Sequence, residues 1–316
     1  MRRVFLLACS IAAVVWACNE EFPEQLGSSP PPAPFDAGVD ANADATAIVP
    51  KGSRTLGIEV DVQALSFPQQ VRALKEAGAQ TTNASFTWDD IERPIDGGAD
   101  GDADADPDAS AETFISNPGI HIVNLVLGTN DVRASLAIAA LDGTGPRLPP
   151  DLAGRALDDV AVTNRYDAVT DYVFSQLPDL KLDAYLVAID ADVALGSDAA
   201  KWASFAAFVQ KTGAHARTKR AGLEVGFVLS ASALVEKKDL VAAALAASDV
   251  VVVSQPVSFD AIVAAAPAGK AVYVHRAGLD AGDAFGQWDR HGDRIPIVTF
   301  PALTADVVRE ARVRGF

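Results

Sequence analysis

From residue 54 onward, short apolar segments alternate with amphipathic ones. Thr55 to Val62 sets Leu56, Ile58, Val60 and Val62 against Gly57, Glu59 and Asp61, the period of two expected of a strand. Pro68 then opens a helix over Gln69 to Ala77, and Gly78 stops it. Thr81 to Thr87 predicts a second strand, ending at Trp88-Asp89-Asp90. The strongly apolar run Ile120 to Leu127 predicts a third. A helix over Asp159 to Leu177 leads to a strand at Ala184 to Ile189, and a helix over Ala199 to Arg217 to a strand at Leu223 to Leu229. Further along, helices at Lys237 to Ala247 and Phe259 to Ala265 flank a strand at Val250 to Val253. Ala271 to Val274 and Ile295 to Phe300 complete the strands, and Thr304 to Arg314 closes with a helix.

Eight apolar strands mostly separated by helices predict one α/β domain, a (β/α)8 TIM-type barrel over residues 54–316. Runs such as Val250-Val251-Val252-Val253 suit parallel strands buried on both faces. A doubly wound open sheet is the competing arrangement, weakened because no Gly-rich phosphate loop follows the first strand. The length of 316 residues accommodates one such barrel.

Residues 1–53 follow another pattern. Met1-Arg2-Arg3 and the apolar run Val4 to Ala17 read as a secretory signal peptide, too short to span a bilayer as a helix. Val15-Trp16-Ala17-Cys18 resembles the bacterial lipobox, with Trp16 as its departure from that motif. The resemblance implies cleavage after residue 17, lipid on Cys18 and an exported protein anchored in the bacterial cell envelope. Residues 18–53 then carry a Pro-rich, Asp/Ala-rich linker that reads as a disordered tether.

Charge is unevenly placed. The net charge of −16 includes six acidic residues in 19–50 and seven in 96–112, two stretches without Lys or Arg. The second belongs to an acidic insertion over about 95–112. Its Asp100-Gly101-Asp102-Ala103-Asp104 is similar to the start of a calcium loop, but the loop glycine is missing and Glu112 falls one place late, so it reads as a low-complexity surface loop. The acidic balance argues against nucleic acid as a partner, whose phosphates need clustered Lys and Arg. Two cysteines and four scattered histidines predict neither a disulfide framework nor a metal site, and no motif calls for a cofactor.

Several segments resemble retaining glycoside hydrolases of the large (β/α)8 clan whose two catalytic glutamates end strands 4 and 7. Trp88-Asp89-Asp90-Ile91-Glu92 looks like that clan's strand-2 end. Leu148 to Arg155 with Asp158-Asp159 is similar to a segment before helix 3. Ala188 to Leu195 falls where those enzymes carry Gly-Asn-Glu, and Gly269 to Gly278 where they carry the strand ending in Glu. The resemblance thus implies acid/base and nucleophile positions at Asp190 and Arg276. Aspartate is one methylene shorter than glutamate, and an arginine stays cationic and cannot attack an anomeric carbon. Chitinase-type barrels carry Asp-x-x-Asp-x-Asp-x-Glu on strand 4; Val187, Asp190, Asp192 and Ala194 stand there instead. Both comparisons imply a degenerate site, that is, a pseudoenzyme.

At the carboxyl ends of the strands the candidates are Asp190, Glu59, Asp131 and His275 for catalysis, and Trp88, Asp89, Asp61, Asp192, Gln255 and Arg276 for binding. Trp88 either stacks on a sugar ring or packs beneath a loop, and Asp190 and Arg276 are expected to pair across the mouth. The leading expectation is an envelope lipoprotein whose barrel binds carbohydrate or acts as a scaffold. The alternatives are an active glycosidase with unusual acids and a purely structural, partner-binding protein.

Overall fold

A computed structural model describes residues 49–92 and 118–316. The signal sequence, Cys18, the tether to residue 48 and the acidic insertion lie outside the described residues. Eight strand positions form a parallel ring: β1 Thr55–Ile58, β2 Thr81–Thr87, β3 Arg133–Asp142, β4 Leu182–Ala188, β5 in two pieces (Val225–Gly226 and Val228–Ser230), β6 Val251–Ser254, β7 Val272–Arg276 and β8 Ile297–Phe300. Hydrogen bonding runs from the first piece of β5 through β4, β3, β2, β1, β8, β7 and β6 to its second piece. Tyr185 on β4 pairs with Val225, while Val228 pairs with Val252 on β6, so the ring closes through the single strand interrupted at Phe227.

Around it lie α1 Phe67–Glu76, α2 Trp88–Ile91, α3 Pro118–Thr129, α4 Val160–Ser175, α5 Ala191–Leu195, α6 Ala199–Lys219, α7 Ala231–Glu236, α8 Lys238–Ala247, α9 Phe259–Ala265, α10 Ala281–His291 and α11 Ala305–Val313. Local chemistry sets many of their starts. Asp159 caps α4 by accepting from the Ala161 N–H at 2.8 Å, and Asp198 caps α6 from Ala200 and Lys201. Ser230, Ser258, Asp280 and Thr304 do the same for α7, α9, α10 and α11. Among the described residues no helix is long and apolar enough to cross a membrane.

The predicted third strand is a helix. In α3 the buried residues Ile120, Val123, Asn124 and Leu127 recur at the spacing of one helical face, while Ile122 and Leu125 are exposed. Those two outward apolar residues make the run look continuous, and continuity is what suggested a strand. The true third strand, Arg-Ala-Ser-Leu-Ala-Ile-Ala-Ala-Leu-Asp, is rich in alanine and has little intrinsic strand preference. Burial on both faces, between β2 and β4, holds it extended. The expected count of eight was therefore reached with one element displaced by about fourteen residues. Helices α2, α5, α7 and α10 were also not anticipated.

Inside the ring, Ala137, Ala184, Leu186, Val228, Val252, Tyr273 and Ile297 form one apolar cluster. The larger cluster lies between the ring and its helices. Gly57 serves the ring directly: a Cβ there would sit 2.4 Å from the Thr299 hydroxyl and 3.0 Å from Thr81. Toward the strand beginnings the filling becomes polar. Arg133 pairs with Asp183 at 2.6 Å, Thr81 donates to the same carboxylate, and the Tyr273 hydroxyl donates to Glu224. Burial pushes the Asp183 carboxyl above its usual range despite those donors.

Candidate functional site at the barrel mouth

At the carboxyl ends of the strands lies a cavity of about 710 Å³, within the usual size of a small-molecule pocket. Glu59, Asp190, Ser254, Gln255, His275 and Arg276 all line it, from residues at or just past the ends of β1, β4, β6 and β7. Five of the sequence candidates, Glu59, Asp190, Gln255, His275 and Arg276, thus meet in one place. Its position is where βα loops build active faces in such barrels.

Arg276 ends β7 and grips Glu59 with two parallel hydrogen bonds, Nε to Oε2 at 2.8 Å and a second from the other side-chain nitrogen to Oε1. This fork-on-carboxylate geometry fixes both side chains. The Glu59 bond raises the Arg276 pKa against the opposing effect of burial, and Asp190 adds a weaker attraction. Arg276 was expected to pair with Asp190, and the structure corrects the partner. A carboxylate does meet it across the mouth, but from β1. Asp190 instead accepts from the Ser254 hydroxyl at 3.3 Å.

The backbone here is unusual. Three described non-glycine residues have positive φ, and two of them, Asp190 at 50° and Gln255 at 49°, line the cavity. Such conformations cost on the order of 1–3 kcal/mol each and tend to gather at functional sites. Gln255 is held by its N–H to the Arg276 carbonyl at 2.7 Å. Gly278 makes room for it, because a Cβ at that glycine would lie 2.9 Å from the Gln255 carbonyl carbon.

His275 turns its Nδ1 inward, buried and without a hydrogen-bond partner. Burial, and then the neighbouring Arg276 charge, lowers its pKa from 6.5 to about 4. The imidazole is therefore neutral at pH 7 and a weak base, poorly matched to general-base work near neutrality. The sign of its pH effect follows. Between about 6.5 and about 4 the unfolded chain binds more protons, so stability falls as the pH drops through that window. Since the residue is not wholly buried, a loss of about 2 kcal/mol is expected rather than the full shift at 1.36 kcal/mol per unit. Thermal melts of His275→Gln across this range should show a shallower acid slope than the parent; parallel slopes would dismiss the effect.

Other candidates lie elsewhere. Trp88 is fully buried, its indole N–H donating to Glu92 at 2.8 Å and its ring edge-on to Tyr166 at 5.1 Å, so it offers no face to a sugar. Asp89 pairs with Arg147 at 3.3 Å and does not line the cavity. Asp192 is buried and accepts from the N–H and hydroxyl of Ser230 at 2.8 and 2.7 Å, which makes it a brace between β4 and β5. Asp131 precedes β3 rather than following it, a direct consequence of the displaced third strand. It sits with Asn130 at the opposite end of the barrel and pairs with Lys181 at 2.7 Å. Asp61 does not share a strand face with Glu59, because the chain turns after Ile58 and the Asp61 carboxylate accepts from the Gln63 N–H.

Asp61 lines a second cavity of about 460 Å³ with Gln63, Gln70 and Asn83, and this cavity shares Glu59 and Ser85 with the first. Sequence reasoning missed Glu236 and the rim valines Val193, Val235 and Val257, all of which line the larger cavity. The short helices after β4 and β5 were the signal that could have found three of them. Among the described residues no group of three His, Cys, Asp or Glu side chains is placed to hold a metal ion.

Comparison with solved structures matches this architecture. The fold is that of glycoside-hydrolase barrels. A GH5_18 protein from Streptomyces cattleya, solved with Manβ1-4GlcNAc, aligns over 79% of this chain and 71% of its own, at 10% identity and TM-score 0.57. An exo-β-1,4-mannosidase from Opitutaceae bacterium strain TAV5 aligns over 79% of this chain and 52% of its own, at 11% identity and TM-score 0.57. An intracellular xylanase from Thermoanaerobacterium saccharolyticum, in complex with xylotriose, aligns over 80% and 87%, at 14% identity and TM-score 0.52. Identities this low speak to fold alone, since such barrels host many chemistries. No family model matches the sequence, and no curated protein does either.

Proposed function

We propose that this chain is an exported, lipid-anchored protein of the bacterial cell envelope whose barrel binds a glycan at its mouth without cleaving it. One observation carries the reading: the arginine that ends β7 is locked on Glu59. Retaining hydrolysis needs two carboxyl groups about 5–5.5 Å apart, one as acid/base and one as nucleophile. Here the β7 end contributes a permanent cation, and the acid on β1 is engaged by it. Asp190 keeps a carboxylate in the cavity, which with Ser254 and Gln255 suits hydrogen bonding to hydroxyl groups. The lipobox-like Ala17-Cys18 and the linker behind it support the anchored placement.

The test is a glycan array probed with the full chain, paired with a panel of aryl glycosides. Binding without turnover is expected. Turnover abolished by Asp190→Asn would replace this reading with a glycosidase using an unusual acid, and an empty array would favour a scaffold. For the anchor, a palmitate analogue is expected to label the chain in cells and to be lost in Cys18→Ala.

A further inference from the structure

The two cavities at the mouth differ in chemistry and meet at Glu59 and Ser85. Val193, Val235 and Val257 stand on the segments after β4, β5 and β6, 60%, 46% and 79% exposed, and all three line the larger cavity. Scattered exposed valines need no explanation, but three converging on one opening form an apolar collar. Ile262, buried in α9, continues that surface inward. The smaller cavity presents Gln63, Gln70 and Asn83, side chains that exchange hydrogen bonds with hydroxyl groups. No described Phe, Tyr or Trp lines either cavity, so neither provides a broad stacking platform.

From this juxtaposition we infer that the ligand is an amphiphilic glycoside, its sugar head seated in the amide-lined cavity and reaching past the shared Glu59 and Ser85 toward Asp190, and its aliphatic aglycone inside the valine collar. The inference rests on the glycan reading above and narrows it. Charge decides what kind of head is accepted. Glu59 and Asp61 line the smaller cavity, whose described lining has no Lys, Arg or His, and Glu59, Asp190 and Glu236 face the adjoining larger one against the single described cation Arg276, so a fatty acid or a phosphate head is repelled and an uncharged sugar is not. An aliphatic tail gains from the collar what a free sugar cannot. Each methylene removed from water strengthens binding by up to about fourfold.

The probes are hexyl, heptyl and octyl β-glucosides and β-mannosides below their micelle concentrations, titrated calorimetrically into the full chain beside the methyl glycosides and an octyl zwitterion. Affinity should rise about threefold per methylene for at least one sugar, and the zwitterion should bind at least tenfold more weakly than the matching octyl glycoside. Val235→Ser and Val257→Ser, both at exposed positions, should flatten the dependence on tail length with no change in melting temperature. Equal affinities at every tail length would overturn the inference and leave the glycan reading standing. A zwitterion that binds as well as the octyl glycosides would overturn the sugar head. Failure of every glycoside to bind, with an empty glycan array, would remove both readings.

Discussion

Asp289→Ala should cost about 3–5 kcal/mol of stability, because it leaves the buried Arg54 guanidinium without an ion pair and takes the Nε and Nη2 partner from Arg314, which keeps only its ion pair with Glu310 at 2.8 Å. The Asp289 carboxylate takes Arg54 at 2.5 Å and Arg314 at 2.7 and 2.9 Å, and all three side chains are less than a tenth exposed. Both cations are further committed to aromatic faces, Arg54 over Trp288 at 5.2 Å and Arg314 over Phe285 at 5.0 Å. Arg54 also donates to the Val49 and Pro50 carbonyls, so the chain segment entering β1 hangs on the same carboxylate. Neither arginine can lose its proton to escape, and neither can reach water without displacing the aromatic cluster. In a domain of this size the loss corresponds to a fall in melting temperature of about 10 °C. Asp289→Asn, which keeps the acceptor oxygen but not the charge, should fall between. A melting temperature within about 2 °C of the parent would show that the arginines find water after all.

Trp88→Ala should be nearly as damaging, about 3–5 kcal/mol, for a different reason. The indole is wholly enclosed and joins a chain of edge-on rings, Trp88 to Tyr166 at 5.1 Å and Tyr166 to Phe208 at 4.9 Å. The Tyr166 hydroxyl in turn donates to the Ile138 carbonyl on β3, so the ring chain ties the end of β2 to α4 and the sheet. Removing the indole opens a cavity there and takes away one donor from Glu92, which Arg165 continues to satisfy. Trp88→Phe should cost less, mainly the lost hydrogen bond, about 1–2 kcal/mol. Denaturant midpoints at unchanged slope measure both, and a loss below about 1 kcal/mol for the alanine variant would contradict the buried placement.

Much of the barrel can be read from hydrophobic runs alone because seven of its eight strands are valine- or isoleucine-bearing segments or follow a clear turn. The failure at the third strand has a physical cause. Alanine is small enough to pack on both faces of a crowded strand, Ala137 inside the ring and Ala134 and Ala140 against the helices, yet it carries little strand preference for a sequence reading to find. That one displacement carried Asp131 to the wrong end of the barrel and hid Asp142, which faces Arg147 at 3.4 Å. At the mouth, residues beside clearly apolar strand ends were found together, as with Gln255, His275 and Arg276. Partners were harder. Glu59 and Arg276 lie 217 positions apart, and nothing local distinguishes Glu59 from Asp190 as the arginine's partner. The valine collar escaped notice because exposed aliphatic residues look like core residues until a surface is drawn.

The pairing of β1 with β8 sets an order of events during synthesis. Thr55 lies beside Ile297, and Lys51 is bonded through its N–H to the Arg314 carbonyl, so the first and last parts of the domain complete each other. Contacts this distant in sequence carry a loop-closure cost and form late. Until the final strand has left the ribosome the ring stays open, with the edges of β1 exposed. Under the export proposed above that delay would be useful, since a chain threads a translocation channel only while its barrel is still unclosed.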